Sequence, residues 1–260
     1  MNNVLEKILC KFSELPEVEA IAIGGSTTAQ TSDSKSDIDI YIFSKSGIAL
    51  EKREDIIKPI SSKYEIGGEY FGNGDEFWAD ELDQQLDIMY WDITWFESTV
   101  ENVWIKHYPS NGYTTCFLYT LKNFQIVYDK NNWLKNLQEK INTEYPQELQ
   151  NNIIKRNLML MKDKPFASYY EQIEKAIKRN DIISINHRIS AFCANYFDII
   201  FAINKQLHSG EKRLINYIKN NCELIPNNFE TNLQKLLKQP NDDTLGILND
   251  IIEELKKLLD

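Results

Sequence analysis

Two aspartates, Asp37 and Asp39, lie two residues apart in an apolar stretch that follows a Gly24-Gly25-Ser26 turn. Residues two apart on a β-strand point to the same side, so both carboxylates face one way and the intervening isoleucines face a core. Two carboxylates held this close are a place for a divalent cation. Glycines let backbone N–H groups approach an anion without a side chain in the way. The stretch therefore predicts a metal site and a phosphate-binding turn within one hairpin.

Three strands must position these groups. A short apolar strand at residues 18–23 leads into the glycine turn, and a second strand at residues 37–43 carries the two aspartates. A later alternating segment, residues 86–91, places Asp87 on one face and Ile88 and Tyr90 on the other. The pattern thus offers a third carboxylate on a separate strand.

The rest of the chain predicts an α+β protein in two parts. In the first part the patterns predict helices near residues 4–12, 50–63 and 94–106, an extended glycine-punctuated segment at 64–74 and a strand at 125–128. After about residue 145 strand signals vanish, glycine becomes scarce and amphipathic periods continue to the last residue. We therefore expect domains at residues 1–145 and 146–260, the second an all-α helical bundle. Its candidate helices are residues 147–162, 166–178, 181–205, 210–220, 228–238 and 243–259.

Composition excludes several classes of protein. The 260 residues carry a net charge of -10 and a pI near 5.0, whereas tracking a nucleic-acid backbone requires a basic stripe. No apolar run reaches the roughly 18–20 residues needed to span a bilayer. The first residues lack the layout of a signal peptide. We expect a cytoplasmic protein without nucleic-acid or membrane partners, and its four widely spaced cysteines indicate reduced thiols.

The glycine turn, the sequence Asp37-Ile38-Asp39-Ile40 and the third acid Asp87 together resemble the nucleotidyltransferase superfamily. That pattern is an apolar residue, Gly, Gly or Ser, a spacer of about ten residues, and then Asp-apolar-Asp-apolar. A catalytic part followed by a helical part is similar to the bacterial antibiotic nucleotidyltransferases, which adenylylate aminoglycosides or lincosamides. The resemblance implies a polymerase-beta-like mixed sheet with flanking helices, followed by the helical bundle.

The resemblance also implies a set of roles. Asp37 and Asp39 would hold two Mg²⁺ ions, and Asp87 would complete the site as a metal ligand, as the general base for the acceptor hydroxyl, or as both. Ser26 and the amides of Gly24 and Gly25 would bind the β- and γ-phosphates of ATP. The expected reaction transfers AMP from ATP to a hydroxyl and releases pyrophosphate.

A lysine of the helical part is a further candidate. In related enzymes such a lysine contacts phosphate, and Lys212 fits this role because it follows Gly210 at the expected end of a helix, with Arg213 and Lys205 behind it. A cation at a helix end also interacts favourably with the helix dipole. Both interpretations of Lys212 stay open on the sequence alone.

The acceptor is expected to be cationic. Residues 64–92 contain nine acidic residues and no lysine or arginine, and they lead into the strand that carries Asp87. This field favours a cationic acceptor such as an aminoglycoside. Neighbouring aromatic residues could give it apolar or cation–π faces; they are Tyr70, Phe71, Phe77 and Trp78. The alternative is a solvated acidic loop with one or two aromatic residues packed beneath it.

The sequence leaves three rival functions open. A nucleotidyltransferase that modifies a partner protein is disfavoured by length, because such proteins are commonly little more than the catalytic domain. A non-catalytic nucleotide-binding homologue would bind without turnover. A polymerase that adds nucleotides to RNA ranks last because no basic surface is evident. The sequence leaves open whether the chain is a monomer or a homodimer.

Overall fold

The structure is a computed structural model that describes residues 3–25, 37–70, 72–164, 166–238 and 243–259. Two residues named above, Ser26 and Phe71, lie outside the described residues. The chain divides into two compact units, Met1–Glu101 with Thr120–Thr143, and Asn102–Tyr119 with Glu144–Asp260. The expected functional boundary between residues 145 and 146 stays a prediction.

A six-stranded mixed sheet forms the centre of the first unit, in the order β3-β4-β5-β2-β1-β6. β2 pairs in parallel with β5, and every other neighbouring pair is antiparallel. The strand that carries Asp39 is therefore central in the sheet, with hydrogen-bonded neighbours on both sides. The strands are β1 (Val18–Gly24), β2 (Ile38–Ser44), β3 (Lys63–Gly68), β4 (Gly74–Ala79), β5 (Gln84–Asp92) and β6 (Gln125–Asp129).

One face of this sheet, here called the core face, packs against α1 (Asn3–Ser13) and α2 (Leu50–Ile57). Ile40 and Ile42 of β2 are fully buried there, which confirms that the isoleucines point away from the aspartates. α2 ends before the predicted residue 63. Pro59 lies in the short 3₁₀ turn that follows α2. Because proline has no backbone N–H to donate, the helix does not continue past it. The segment predicted only as extended forms β3, and the residues after it form β4.

The opposite face is called the site face. Away from the aspartates it is covered by aromatic residues, with ring centroids 4.8 Å apart for Tyr41 and Trp91 and 5.3 Å for Phe43 and Phe96. Phe96 belongs to α3 (Ile93–Val100), and α5 (Trp133–Ile141) adds Trp133, whose ring centroid is 5.2 Å from that of Phe43. Aromatic packing therefore covers the far part of β2, while Asp39 lies near its start.

The second unit is helical in all of its described regular elements, as predicted. Its centre is the 22-residue α8, whose buried side chains pack with those of the surrounding helices. No helix in the described segments has the length and apolarity needed to cross a bilayer. α4 (Cys116–Asn123) begins in this unit. The other helices are α6 (Gln147–Leu158), α7 (Tyr169–Lys178), α8 (Ile182–Ile203), α9 (Leu214–Asn221), α10 (Phe229–Lys238) and α11 (Thr244–Lys256).

Candidate functional site

Asp39 and Asp87 are direct neighbours across the parallel pair of β2 and β5. Partners in register point to the same face, and adjacent strands lie about 4.8 Å apart. Both side chains are half-buried. The tertiary structure thus brings together two carboxylates that are 48 positions apart in the chain, at the same step of two central strands.

The glycine turn lies against the Asp39 carboxylate. A Cβ built on Gly25 would be 1.6 Å from Oδ2 of Asp39, and the backbone of Gly25 has φ +77°. A side chain would therefore collide with the carboxylate and would also be strained. Gly24, the last residue of β1, is the register partner of Asp39 across the antiparallel pair. The turn predicted to bind phosphate and the aspartate predicted to bind metal are consequently in contact.

Asp37, the first of the two paired aspartates, immediately precedes β2 and is exposed. Ile38 of β2 pairs with Leu86 of β5. Asp37 and Gln85 are the residues that come immediately before these two partners. Gln85 donates a hydrogen bond from Nε2 to Oδ1 of Asp87 at 2.9 Å. Sequence reasoning missed Gln85, although Gln85-Leu86-Asp87-Ile88 repeats the alternation of the first aspartate strand.

Asp39 and Asp87 are part of a line of acidic side chains across the site face, here called the acidic row. Glu76 of β4 is the register partner of Asp87, and Glu65 of β3 is that of Glu76. Both glutamates are exposed, so the site face carries carboxylates on four consecutive strands. Part of the acidic stretch that suggested a cationic acceptor therefore lies in line with Asp39 and Asp87.

The aromatic candidates separate into different environments. Phe77 is 2% exposed and packs on the core face, so its predicted role as a surface for the acceptor is wrong. Alternation along β4 places Phe77 on the face opposite Glu76. Trp78 is on the site face and is 38% exposed, and Tyr70 is 89% exposed. Of the described candidates, Trp78 is the one that the sheet places on the face of the carboxylates.

A second carboxylate network lies on the core face directly behind the row. Asp75 is fully buried and pairs through both oxygens with Arg53 of α2. It also accepts hydrogen bonds from the Tyr90 hydroxyl at 2.6 Å and from the Gly67 amide at 2.8 Å. Burial raises the pKa of Tyr90, so its hydroxyl keeps the proton that it donates. This network ties α2, β3, β4 and β5 together beneath the site face.

Lys212 is exposed in the turn before α9, in the second unit. α8 ends at Ile203, so the expected helix end at Gly210 is wrong, and a loop in which Leu207, His208 and Gly210 are buried takes its place. In that loop His208 is fully buried, and its Nδ1 accepts a hydrogen bond from the Gly210 amide at 3.0 Å. Desolvation lowers the pKa of His208 to about 4, so it is neutral at physiological pH. The predicted contact of Lys212 with triphosphate stays a prediction.

Asp198 of α8 is a second buried titratable group in the helical unit. It accepts hydrogen bonds from the amide and hydroxyl of Thr114, at 3.0 and 2.7 Å, and from the Asn157 amide at 3.1 Å. Desolvation raises the pKa of Asp198 to about 6 despite these donors. Since the three hydrogen bonds join α8 and α6 to the segment before α4, we interpret Asp198 as structural.

The donor set on the site face fits Mg²⁺ that is shared with a triphosphate. Over the described ranges, no group of three or more His, Cys, Asp and Glu side chains is arranged to hold a metal through protein ligands alone. Mg²⁺ prefers carboxylate oxygens but keeps several waters and takes phosphate oxygens as ligands. The neighbouring carboxylates of Asp39 and Asp87, with Asp37 just before β2, match that requirement.

Comparison with known proteins gives three kinds of result. A family model described as a domain of unknown function, DUF4037, matches residues 113–214, which is less than half of the chain. Comparison with curated proteins gives no match. Among solved structures, a nucleotidyltransferase-like protein from Exiguobacterium sibiricum is 8% identical, with a TM-score of 0.48 over 98% of this chain and 73% of that one.

Two further solved structures are similar over almost the whole chain. Spectinomycin adenyltransferase AAD(9) from Enterococcus faecialis, solved with ATP and spectinomycin, is 16% identical, with a TM-score of 0.32 over 98% of this chain and 97% of that one. A STING-associated CdnE c-di-GMP synthase from Capnocytophaga granulosa is 16% identical, with a TM-score of 0.28 over 97% and 77%. At such identities and TM-scores, the likeness adds no argument about activity.

Proposed function

We propose that this chain is a Mg²⁺-dependent nucleotidyltransferase that transfers AMP from ATP to a hydroxyl of a small cationic acceptor. One observation carries the proposal: Asp39 and Asp87 are register partners on adjacent parallel strands, with Gly25 against the Asp39 carboxylate. A carboxylate pair with a glycine turn against one of its members suits the transfer of a nucleoside phosphate, since metal and phosphate must be held side by side.

Each part of the site has a distinct task in this proposal. The amides of Gly24 and Gly25 donate hydrogen bonds to phosphate oxygens, and Asp37, Asp39 and Asp87 are the residues that would hold the metal. When bound, Mg²⁺ would neutralise the triphosphate and make the acceptor hydroxyl more acidic. Asp87 is also the register partner of Glu76 in the acidic row, which supports its further proposed role of accepting the proton of that hydroxyl.

The acidic row supports a cationic acceptor. Glu76 and Glu65 continue the line of carboxylates from Asp87 toward the edge of the sheet, and both are exposed. A surface with several negative charges in one row attracts polyamines and repels anions. An aminoglycoside-like molecule has both the ammonium groups and the hydroxyls that this arrangement needs.

The test is pyrophosphate release from ATP and Mg²⁺ in the presence of a panel of aminoglycosides. We expect release with at least one acceptor, and loss of about three orders of magnitude in Asp39→Asn, because metal-ion catalysis contributes several kcal/mol. The matched control is Asp83→Asn, which makes the same chemical change at an exposed turn residue. Asp83 has φ +52°, and asparagine accepts this backbone conformation. The control should retain full activity.

Other outcomes would point to the rival functions. Mass spectrometry after incubation with ATP and cell lysate would show an AMP adduct on a protein if the acceptor is a polypeptide. Nucleotide binding without turnover on any acceptor would favour a non-catalytic homologue. The proposal would be contradicted if no aminoglycoside caused pyrophosphate release and Asp39→Asn gave the same result as the native chain.

A further inference from the structure

An open cavity of about 430 Å³ lies in the helical unit, lined by α8, the start of α9, the turn before it and the segment that precedes α4. All of its lining residues belong to that unit. Cys193 and Leu214 in the lining are buried members of the core of the unit, and Ala194 and Phe197 add further apolar surface. Sites of this volume with a mostly apolar lining bind small organic molecules.

Tyr113 lines this cavity in a strained backbone conformation. Its φ is +56°, in the left-handed region that bulky side chains rarely adopt. Arg213 lines the same cavity with a φ of +54°. Strained residues persist only where the surrounding structure holds them, and they are common at ligand-binding sites. Two such residues on one cavity therefore point to a site that the fold maintains against strain.

Buried polar side chains hold Tyr113 from both sides. The Gly112 amide donates to Oδ1 of Asn157 at 3.1 Å, and the Thr114 amide donates to Oδ1 of Asp198 at 3.0 Å. Asn157 and Asp198 are fully buried. The residues on either side of Tyr113 are thus fixed by side chains of α6 and α8. A wall that is fixed in advance loses little conformational freedom when a ligand binds.

The Tyr113 end of the cavity has a negative charge. Glu211 lines the cavity and is exposed. Desolvation raises the pKa of Tyr113, and the charge of Glu211 raises it further. The same two causes raise the pKa of the neighbouring Cys116 to about 11. Because a nearby cation would lower both pKa values, the field at this end comes from Glu211 rather than from Arg213.

We propose that this cavity binds a small aromatic amine, with its ring against Tyr113 and Phe197 and its ammonium group at the carboxylate of Glu211. An aromatic ring matches the apolar lining, and a cation is favoured by a carboxylate beside aromatic faces. An aromatic acid would be repelled by Glu211, and a polyamine without a ring would leave the apolar lining unmatched. The inference is independent of the proposed function, because it concerns the helical unit alone.

The experiment compares three probes that share one phenyl ring and differ in charge. They are phenethylamine, phenethyl alcohol and hydrocinnamate, which are cationic, neutral and anionic at neutral pH. Binding to the full chain, without ATP or Mg²⁺, is titrated by ligand-observed nuclear magnetic resonance. We expect the amine to bind about tenfold more tightly than the alcohol, as one charge-assisted hydrogen bond would allow, and the acid to bind most weakly.

Two variants test the two parts of the site. Glu211→Gln should lower the affinity for the amine to that for the alcohol and leave the alcohol unaffected. Its matched control is Glu223→Gln, at an exposed glutamate of the same unit outside the cavity lining, which should keep the native affinities. Ser190→Trp introduces a large ring at an exposed lining position of α8 and should weaken binding of all three probes.

The inference would be overturned by equal affinities for the amine and the acid, by an absence of saturable binding, or by a preference for the amine that Glu211→Gln retains. Displacement of the amine by ATP would also overturn it, because the cavity would then belong to the nucleotide. Binding of the alcohol in each variant shows that the cavity is still folded. None of these results depends on pyrophosphate release, so the proposed function can fail separately.

Discussion

The two faces of the central sheet use carboxylates in opposite ways. On the core face, Asp75 is fully buried and is neutralised by Arg53, with further hydrogen bonds from Tyr90 and Gly67. On the site face, Asp39 and Asp87 are register partners, and Asp87 accepts a hydrogen bond from the uncharged amide of Gln85. A buried charge needs a cation of its own, whereas carboxylates placed side by side are suited to an external cation.

The largest effect on stability should come from breaking the core-face network. Arg53→Met leaves Asp75 as a buried charge without its cation, which we expect to lower the free energy of unfolding by about 3–5 kcal/mol. Urea-induced unfolding measures this value. The control is Lys52→Met, which removes a partly exposed ion pair with Glu17 from the same helix and should lower the free energy of unfolding much less than Arg53→Met does. Equal losses in the two variants would contradict the comparison.

Asp198 of the helical unit is a third kind of carboxylate. It is buried, and the groups that donate hydrogen bonds to it are uncharged. Its pKa is raised to about 6, so the folded chain binds the proton more tightly and stability falls as the pH rises from about 4 to 6. The pKa of His208 is lowered to about 4, so its contribution rises with pH over nearly the same interval. The two contributions therefore oppose one another.

Substitutions should separate these two contributions. In Asp198→Asn the free energy of unfolding should increase by about 2–3 kcal/mol, relative to the native chain, between pH 4 and pH 6. In His208→Gln it should decrease by a similar amount over the same interval. Urea-induced unfolding at pH 4, 5 and 6 measures both changes. Parallel pH profiles in the native chain and both variants would show that neither group titrates as the burial implies.

Smaller changes in stability are expected at the glycine turn. Gly25 has φ +77° and its Cβ would meet the Asp39 carboxylate, whereas Gly47 has φ +69° and its Cβ would meet nothing within 4 Å. Both Gly→Ala variants should lose about 1–2 kcal/mol through backbone strain. Only Gly25→Ala should also weaken Mn²⁺ uptake and ATP turnover, because it alone displaces Asp39. If Mn²⁺ uptake and ATP turnover are the same in the two variants, the glycine turn is not part of the site.

The smallest effect should be seen on the acidic row. Glu76→Gln removes an exposed charge in register with Asp87, and we expect the KM for a polycationic acceptor to rise about threefold with kcat unchanged. Added salt should reduce the difference, because exposed charges are screened. Glu81→Gln, in the exposed turn between β4 and β5, is the control and should leave KM unaltered. An equal rise in both would assign the effect to net charge rather than to the row.

Predictions from side-chain alternation and turn residues were correct where the local sequence alone determines the secondary structure. The isoleucines of β2 go to the core face and the residues after 145 form helices, because side-chain periodicity is a local property of the chain. Local patterns failed at α2, which ends near Pro59, and at the loop before Gly210, which replaces a predicted helix end.

The sequence by itself determined the types of the candidate site residues, the faces on which Asp39 and Asp87 lie, and the α+β class, since each depends on spacing along one segment. Only the tertiary structure decided that Asp39 and Asp87 are register partners, that Gly25 touches Asp39, and that Gln85 holds Asp87. Register between distant strands depends on how whole faces pack, and no single segment contains that information.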